Sequence, residues 1–481
     1  MNLEQEESEE NRKKRKRANR EMAIVTYIVL ALFLVMSGFV GKFLFEDNGE
    51  ILNNRYNKRQ DLLAEQIVKG SILSADGKVL AETKTDKIGN EYRYYPYDGL
   101  FSHIVGRVEN GKTGLEESEA YTMLTSNINP ILGMIQDVKG EKNPGNHIVT
   151  TLNVNLQKAA SEALGSQKGA VVVMEPDTGK ILAMVSKPTY NPNTVSEDWN
   201  SLLEDSQEES ALYNRATQGL YPPGSTFKLV TALAYMRQNE QYKSFHYNCK
   251  GYIGSGGDRI RCYGGKVHGR LDLALALEKS CNAAFGKIGT MLNIDEWENV
   301  CDALYFNRSI PFDLELKKAS FTLKSFDAAG TVRQTAIGQG DTLVTPLQNI
   351  FLVCAAVNKG TLMSPYIIDH IEDDMGNVVR QNSPLVDSSP ITEKEANQLV
   401  KWMEGVVSEG TAYALNSGSY HAGGKTGSAE FKKNSSDSHS WFVGFAEKNK
   451  KKLAVSIVVE GAGTGSEYAV PVAKRIFDAY W

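Results

Sequence analysis

At 481 residues the chain exceeds one typical domain, so two folded units with appendages are expected. A hydrophobic content of 41% and a charged content of 23% describe an ordinary globular protein and exclude a disordered one. A formal net charge of −5 argues against a general nucleic-acid binder.

Positive charge is concentrated instead near the start, in residues 12–17 (RKKRKR) and Arg20. Residues 22–41 that follow carry no charge and are dominated by Ile, Val, Leu, Phe, Ala and Met. As a helix such a run spans roughly 30 Å, the thickness of a bilayer's hydrocarbon core. Basic residues before it, with Lys42, Glu46 and Asp47 after it, place the N-terminus inside the cell. The run is longer than the apolar part of a cleaved signal peptide, and no small-x-small cleavage site follows it. The expectation is therefore a cytoplasmic tail over 1–21, a retained anchor over 22–43, and the remainder outside the membrane.

Residues 50–69 read as a polar helix. Residues 69–73 and 78–81 read as short strands around Asp76-Gly77, a hairpin signal. Residues 92–97 are aromatic and β-prone, and 111–126 return to a helical pattern. Within this region Lys112-Thr113-Gly114 lies between Glu109-Asn110-Gly111 and Leu115-Glu116-Glu117, the setting of a polar turn entering a helix. A boundary falls near Asn143-Pro144-Gly145-Asn146, which divides a domain over 44–147 from one over 148–481. Beyond it, 156–164 is helical, and 170–175 and 181–185 form a hairpin around residues 176–180. Residues 225–306 are mainly helical, 441–446 and 453–459 are strand-like, and a helix closes the chain from 470. Strands at both ends with helices between them predict a mixed α/β (α+β) domain with one sheet sandwiched by helices.

Residues 221–228 (YPPGSTFK) stand out. Pro-Pro-Gly breaks the chain just before an apolar, helix-prone run, which places Ser225 in the first helical turn and Lys228 on the same face at i+3. No other S-x-x-K occurs in the chain. Ser280-Cys281-Asn282 follows, and then Lys425-Thr426-Gly427 with Ser428 behind it. This second K-T-G sits between Gly423-Gly424 and two strand-like runs, the context of a strand edge that can face a substrate backbone. Lys112-Thr113-Gly114 lacks that context.

A serine hydroxyl needs a base to become a nucleophile. Lys228 can serve if it is neutral, although a free lysine has a pKa of about 10.4. Burial and a second cation, which Lys425 supplies, both favour the neutral form. Ser280 can relay a proton towards a leaving amine, while Asn282 holds substrate backbone and contacts Lys228. The amides of Ser225 and Ser428 are the natural oxyanion donors. Lys425 and Thr426 suit a substrate carboxylate. Five cysteines give no dense disulfide framework. Cys249 and Cys262 either close a short loop in an oxidising exterior or stay free. Cys281, Cys301 and Cys354 lie in apolar or helical surroundings that suggest packing. With no C-x-x-C or H-E-x-x-H and seven scattered histidines, no metal site is expected.

The motif trio is shared by β-lactamases and penicillin-binding proteins. From the anchor onward the chain resembles the class B penicillin-binding proteins, which are membrane-anchored peptidoglycan D,D-transpeptidases. The resemblance includes residues 169–174 (GAVVVM), Asn214-Arg215-Ala216, His268-Gly269, Gly338-Gln339-Gly340, residues 345–348 (TPLQ) and Gly410-Thr411-Ala412. Residues 111–116 (GKTGLE) resemble the pedestal motif of that class, while Lys69 and Ala75 stand where arginines are common. The resemblance implies an antiparallel sheet flanked by helices with a helical subdomain, behind a membrane helix and a small β-rich pedestal. It implies acyl transfer on D-Ala-D-Ala stem peptides of peptidoglycan through Ser225, covalent trapping by β-lactams, and no cofactor. It further implies a polytopic glycosyltransferase partner of the shape, elongation, division and sporulation (SEDS) class. A D,D-carboxypeptidase, a β-lactam sensor or class D-like β-lactamase, and a catalytically silent scaffold are the alternatives.

Overall fold

The computed structural model describes residues 2–42, 58–204, 210–430 and 438–481. The first helix, α1 (Asn2–Lys42), contains the expected apolar run. Its part Asn11–Lys42 is long and apolar enough to cross a membrane, and its side chains from Met22 to Val40 are exposed. This helix fits a single-pass membrane anchor. Of the polar helix expected over 50–69, residues 50–57 lie outside the described residues, and Arg59–Gln66 is helical.

Residues 59–481 form a separate compact unit. Its principal elements in chain order begin with β1 (Ile72–Leu73), β2 (Val79–Thr85), β3 (Glu91–Tyr94) and β4 (His147–Thr150). There follow α2 (Val154–Leu164), β5 (Gly169–Met174), β6 (Ile181–Lys187), α3 (Lys228–Gln238), α4 (Leu273–Glu278) and α5 (Asn282–Gly289). Then come β7 (Ile368–Glu372), β8 (Val378–Gln381) and α6 (Glu393–Ser408). The chain closes through β9 (His421–Glu430), β10 (Ser438–Lys448), β11 (Lys451–Val459) and α7 (Ala469–Tyr480). Both expected hairpins form: Ile72 pairs with Ala81, and Val171 with Val185.

The larger domain is built on a five-stranded sheet of order β9-β10-β11-β5-β6, antiparallel throughout. Strand periodicity explains why it is buried on both faces. Val171 and Val173 of β5 pack with Leu156, Leu164, Ile476 and Phe477 from α2 and α7. Ala170, Val172 and Met174 turn the other way and join Leu229, Leu233 and Phe285 from α3 and α5. Burying each Val, Leu or Ile contributes about 1.5–3 kcal/mol, so this platform is firm. Among the described residues, no strand pairs with the outer side of the edge strand β9.

A second sheet, of order β8-β7-β4-β1-β2-β3, takes strands from both sides of the expected boundary near residues 143–148. Ile148 in β4 pairs with both Ile72 and Ile371, so a hairpin beyond residue 360 completes the pedestal sheet. The sequence reading gave that hairpin no role. Beneath the sheet, Glu116 is fully buried and takes Lys69 Nζ at 2.5 Å and Arg93 Nε at 2.6 Å. Lys69 thus makes a pedestal ion pair although it replaces the more common arginine. The turn before Glu116 needs glycine at 106: φ there is +86°, and an added Cβ would fall 1.7 Å from the Thr113 carbonyl oxygen.

Removing the Glu116 carboxylate strands two buried cations, a loss of about 3–5 kcal/mol. Glu116→Ala is therefore expected to lower the thermal midpoint of the full chain clearly. An unchanged midpoint in calorimetry would refute this role.

Candidate active site

The segment before Ser225 is pinned from behind. Arg215, fully buried, pairs through Nε with Glu460 Oε1 at 2.9 Å, and the Tyr221 hydroxyl donates to the same oxygen at 2.6 Å. Trp441 Nε1 on β10 donates to the Pro222 carbonyl at 3.0 Å. Gly224 then takes φ +54°, and an added Cβ would sit 2.9 Å from Ser428 O on β9. Its N–H donates to Gly338 O at 2.8 Å. Gly224–Phe227 form a 3₁₀ turn, and α3 starts at Lys228. This differs from the expected α-helical turn: Gly224, held left-handed against Gly338 and β9, delays the α-helix by one turn. With three residues per 3₁₀ turn, Ser225 and Lys228 still lie in line.

Ser280 lies between α4 and α5 with φ +51°, a region uncommon outside glycine. The Cys281 N–H donates to Ala276 O at 2.9 Å and closes the corner. Asn282 opens α5. The Lys228 amine, without solvent access, lies 2.6 Å from Asn282 Oδ1, 2.8 Å from Ser280 O and 3.2 Å from Ser280 Oγ. Lys425, equally buried, donates from Nζ to Ser280 Oγ at 2.9 Å and to Thr426 O at 3.0 Å. One serine hydroxyl therefore bridges two buried lysines. Among the described residues no hydrogen bond joins Lys228 to the Ser225 hydroxyl. Catalytic hydrogen bonds of this kind commonly tighten only when substrate binds.

Burial pulls the Lys228 pKa down to about 7, against a smaller upward pull from Cys281 and Cys262. Lys425 is held well below the ordinary lysine value by burial, and next by the charge of Lys228. The expected lysine–lysine repulsion therefore falls on Lys425, while desolvation alone lowers the Lys228 pKa.

Lys425, Thr426, Gly427 and Ser428 lie in line along β9, opposite Val443, Phe442, Trp441 and Ser440 of β10. Gly427 permits close approach to the Ser225 turn: a Cβ there would meet Trp441 Cβ at 2.9 Å and Pro223 O at 3.0 Å. Thr426 Oγ1 lies 2.5 Å from Thr411 Oγ1, and Ser428 Oγ accepts from Gly465 N–H at 3.3 Å. The other K-T-G stays in the pedestal, where Lys112 Nζ donates to Gln60 Oε1 at 2.6 Å.

Sequence reading missed two features. Glu460, the anchor of Arg215 and Tyr221, stands at the end of a strand where no motif marks it. The second concerns cysteine. All five are unpaired, and Cys249 and Cys262 are not bonded to each other: their sulfurs lie 3.7 Å apart. Cys281, read as a packing residue, lies 3.7 Å by sulfur from Cys262, and His268 Nδ1 is 3.5 Å from Cys249 Sγ. These four ligand atoms fall within 4.8 Å of one another and are a group able to hold a metal ion. The pairing of Gly269 with Cys249 brings His268 in, which residue spacing alone did not signal. Burial pushes the Cys301 and Cys354 thiols up, consistent with packing.

Residues 169–478 match the penicillin-binding protein transpeptidase domain. The chain belongs to this family. It is 28% identical to the peptidoglycan D,D-transpeptidase PbpA of Mycolicibacterium smegmatis over 497 residues, covering 96% of this chain and 98% of that protein. It is 30% identical to the stage V sporulation protein D of Bacillus subtilis over 419 residues, 80% of this chain and 63% of that one. Among solved structures, the ceftriaxone acyl-enzyme of penicillin-binding protein A from M. tuberculosis superposes with a TM-score of 0.79 at 25% identity, covering 87% of this chain and 99% of that chain. The mixed α/β transpeptidase fold expected from the sequence is the fold observed.

Above a pKa of about 7 the buried Lys228 is neutral and able to accept a proton; below it the ammonium cannot. The rate of β-lactam acylation should therefore rise with pH through that region and level off, as stopped-flow measurements would show. Lys228→Arg stays charged and should lose about 10²–10⁴-fold. Lys425→Ala should lose about 10²–10³-fold, the scale of lost transition-state electrostatics, while Lys112→Ala stays near wild type.

Proposed function

We propose that this chain is a membrane-anchored peptidoglycan D,D-transpeptidase in which Ser225 is the nucleophile and Lys228 its base. The observation that carries the reading is the Ser280 hydroxyl bridging Lys228 and Lys425 beside the Ser225 turn. Relatives carrying the transpeptidase name, and a solved neighbour trapped as a β-lactam acyl-enzyme, support it.

A D-Ala-D-Ala stem peptide lies along the unpaired edge of β9, its terminal carboxylate towards Lys425 and Thr426, while Asn282 orients its backbone. Ser225 Oγ attacks the penultimate carbonyl and passes its proton to Lys228. The N–H groups of Ser225 and Ser428 hold the oxyanion. As the C–N bond breaks, Ser280 delivers a proton to the departing D-Ala amine and is reprotonated from Lys228. An amine of a neighbouring strand then attacks the ester, and Ser225 recovers its proton. β-Lactams follow the first half of this course and remain attached. The basic tail argues for a cytoplasmic N-terminus with the domain that carries Ser225 outside; a SEDS-type glycosyltransferase is the partner, engaged through the anchor and the pedestal, which is residues 44–147 together with the β7–β8 hairpin.

The test is mass spectrometry of the full chain after exposure to labelled penicillin, with a stem pentapeptide and an acceptor amine assayed in parallel. The label is expected on Ser225, and Ser225→Ala should abolish it with the thermal midpoint nearly unchanged. A cross-linked product should form in preference to hydrolysed peptide. Label on another residue would overturn the nucleophile assignment, and hydrolysis alone would make the protein a carboxypeptidase.

A further inference from the structure

Three cysteines and a histidine converge next to the catalytic serine corner, yet the proposed reaction uses none of them. Cys249 ends the strand Tyr247–Cys249, Cys262 follows Ile260–Arg261, His268 precedes Gly269–Leu271, and Cys281 caps α5. The cysteines are buried and His268 is half-buried.

The separations discriminate between chemistries. A disulfide needs its sulfurs at about 2.05 Å. In tetrahedral zinc sites Zn–S is about 2.3 Å and Zn–N about 2.0–2.1 Å, which puts sulfurs about 3.8 Å apart and sulfur from nitrogen about 3.6 Å. Here Cys262 Sγ lies 3.7 Å from both Cys249 Sγ and Cys281 Sγ, Cys249 Sγ lies 3.5 Å from His268 Nδ1, and all four ligand atoms fall within 4.8 Å of one another. Two backbone amides already point at the sulfurs: Gly251 N–H donates to Cys249 at 3.3 Å and Ala284 N–H to Cys281 at 3.4 Å. Such outer contacts orient thiolate ligands. A Cys249–Cys262 disulfide would leave Cys281 as a free thiol beside it, poised for exchange, whereas a metal uses all three.

We propose that Cys249, Cys262, His268 and Cys281 bind one zinc ion, and that this ion fixes the Ser280–Asn282 corner against Lys228. Three thiolates and an imidazole in tetrahedral array select zinc over hard cations. Cys281 stands between Ser280 and Asn282, and Asn282 Nδ2 donates to the carbonyl of Arg261, the neighbour of Cys262, at 2.9 Å. The ion thus ties three loop segments to the start of α5 and holds Ser280 in its left-handed conformation. All four residues are positioning residues; none touches the reacting atoms. The zinc site stands apart from the reaction, while its positioning role rests on the transpeptidase reading.

The experiment uses the full chain purified in detergent without chelator. Elemental analysis should find one zinc per chain. After cobalt exchange the protein should show thiolate-to-cobalt charge transfer and the intense visible bands of tetrahedral cobalt. Cys262→Ser and His268→Ala should each lose the zinc and slow penicillin acylation about 10–100-fold, the usual scale for disturbed metal environments. Cys301→Ser, away from the cluster, should keep both. Cys249→Asp supplies another zinc ligand and should retain metal and acylation better than Cys249→Ala, the reverse of what a packing role requires. If cysteine variants do not fold, the cobalt spectrum of the wild type decides. Absence of zinc and of the charge-transfer band, or a Cys249–Cys262 disulfide in non-reduced peptide maps, would overturn the site. Zinc lost from Cys262→Ser with acylation unchanged would overturn the positioning role. Zinc bound by a wild-type chain that penicillin never labels would leave the site standing and sink the transpeptidase reading.

Discussion

Two lysines without access to solvent meet on the hydroxyl of Ser280, and the rest of the domain is arranged so that they can. An isolated buried ammonium is costly, and the usual escape is loss of its proton. Burial is therefore what takes the Lys228 pKa down to about 7. The acceptors around it, Asn282 Oδ1 and Ser280 O, come from the corner between α4 and α5. Lys425 comes from β9 and Lys228 from α3. A shift of any of these elements would unmake the bridge, and the sheet buried on both faces and the closed corner hold them in place.

The Ser225 turn reaches this bridge through a series of close backbone approaches. Gly224, Gly338 and Gly427 each sit where a Cβ would come within about 3 Å of another chain segment. Buried Arg215 and half-buried Glu460 form an ion pair behind the turn, with Tyr221 as a further donor. Such a pair adds little net stability, but it leaves the approach to Ser225 a single geometry. Strain at Ser280, of the order of 1–3 kcal/mol, persists because the helices on either side hold both of its neighbours.

Much of this was legible in the sequence. Each of these residues sits in a motif with characteristic flanks: Lys228, Ser280, Asn282 and Lys425 meet in one hydrogen-bonded group beside the Ser225 turn, and the strand context separated Lys425 from Lys112. Turn residues between short apolar runs, Asp76-Gly77 and residues 176–180, marked both principal hairpins. What stayed hidden depends on pairing across long stretches of chain. The 3₁₀ turn at Ser225 follows from the φ of Gly224, set by Gly338 and β9. The cysteine–histidine cluster arises from the pairing of two three-residue strands, too short to carry a periodic signal. Glu460 gains its role from Arg215, some 245 positions away.

The stitching of β7 and β8 onto the pedestal sheet bears on how the protein is made. During synthesis β1 to β4 emerge early, but the partner of β4 follows only about two hundred residues later. Until then the edge of β4 offers unpaired N–H and C=O groups, and such edges invite wrong pairings. Long-range pairing of this kind slows folding, because loop closure is paid before contacts form. The pedestal therefore cannot mature ahead of the domain that follows it: a chain interrupted before Ile368 would have neither a finished active site nor a finished base.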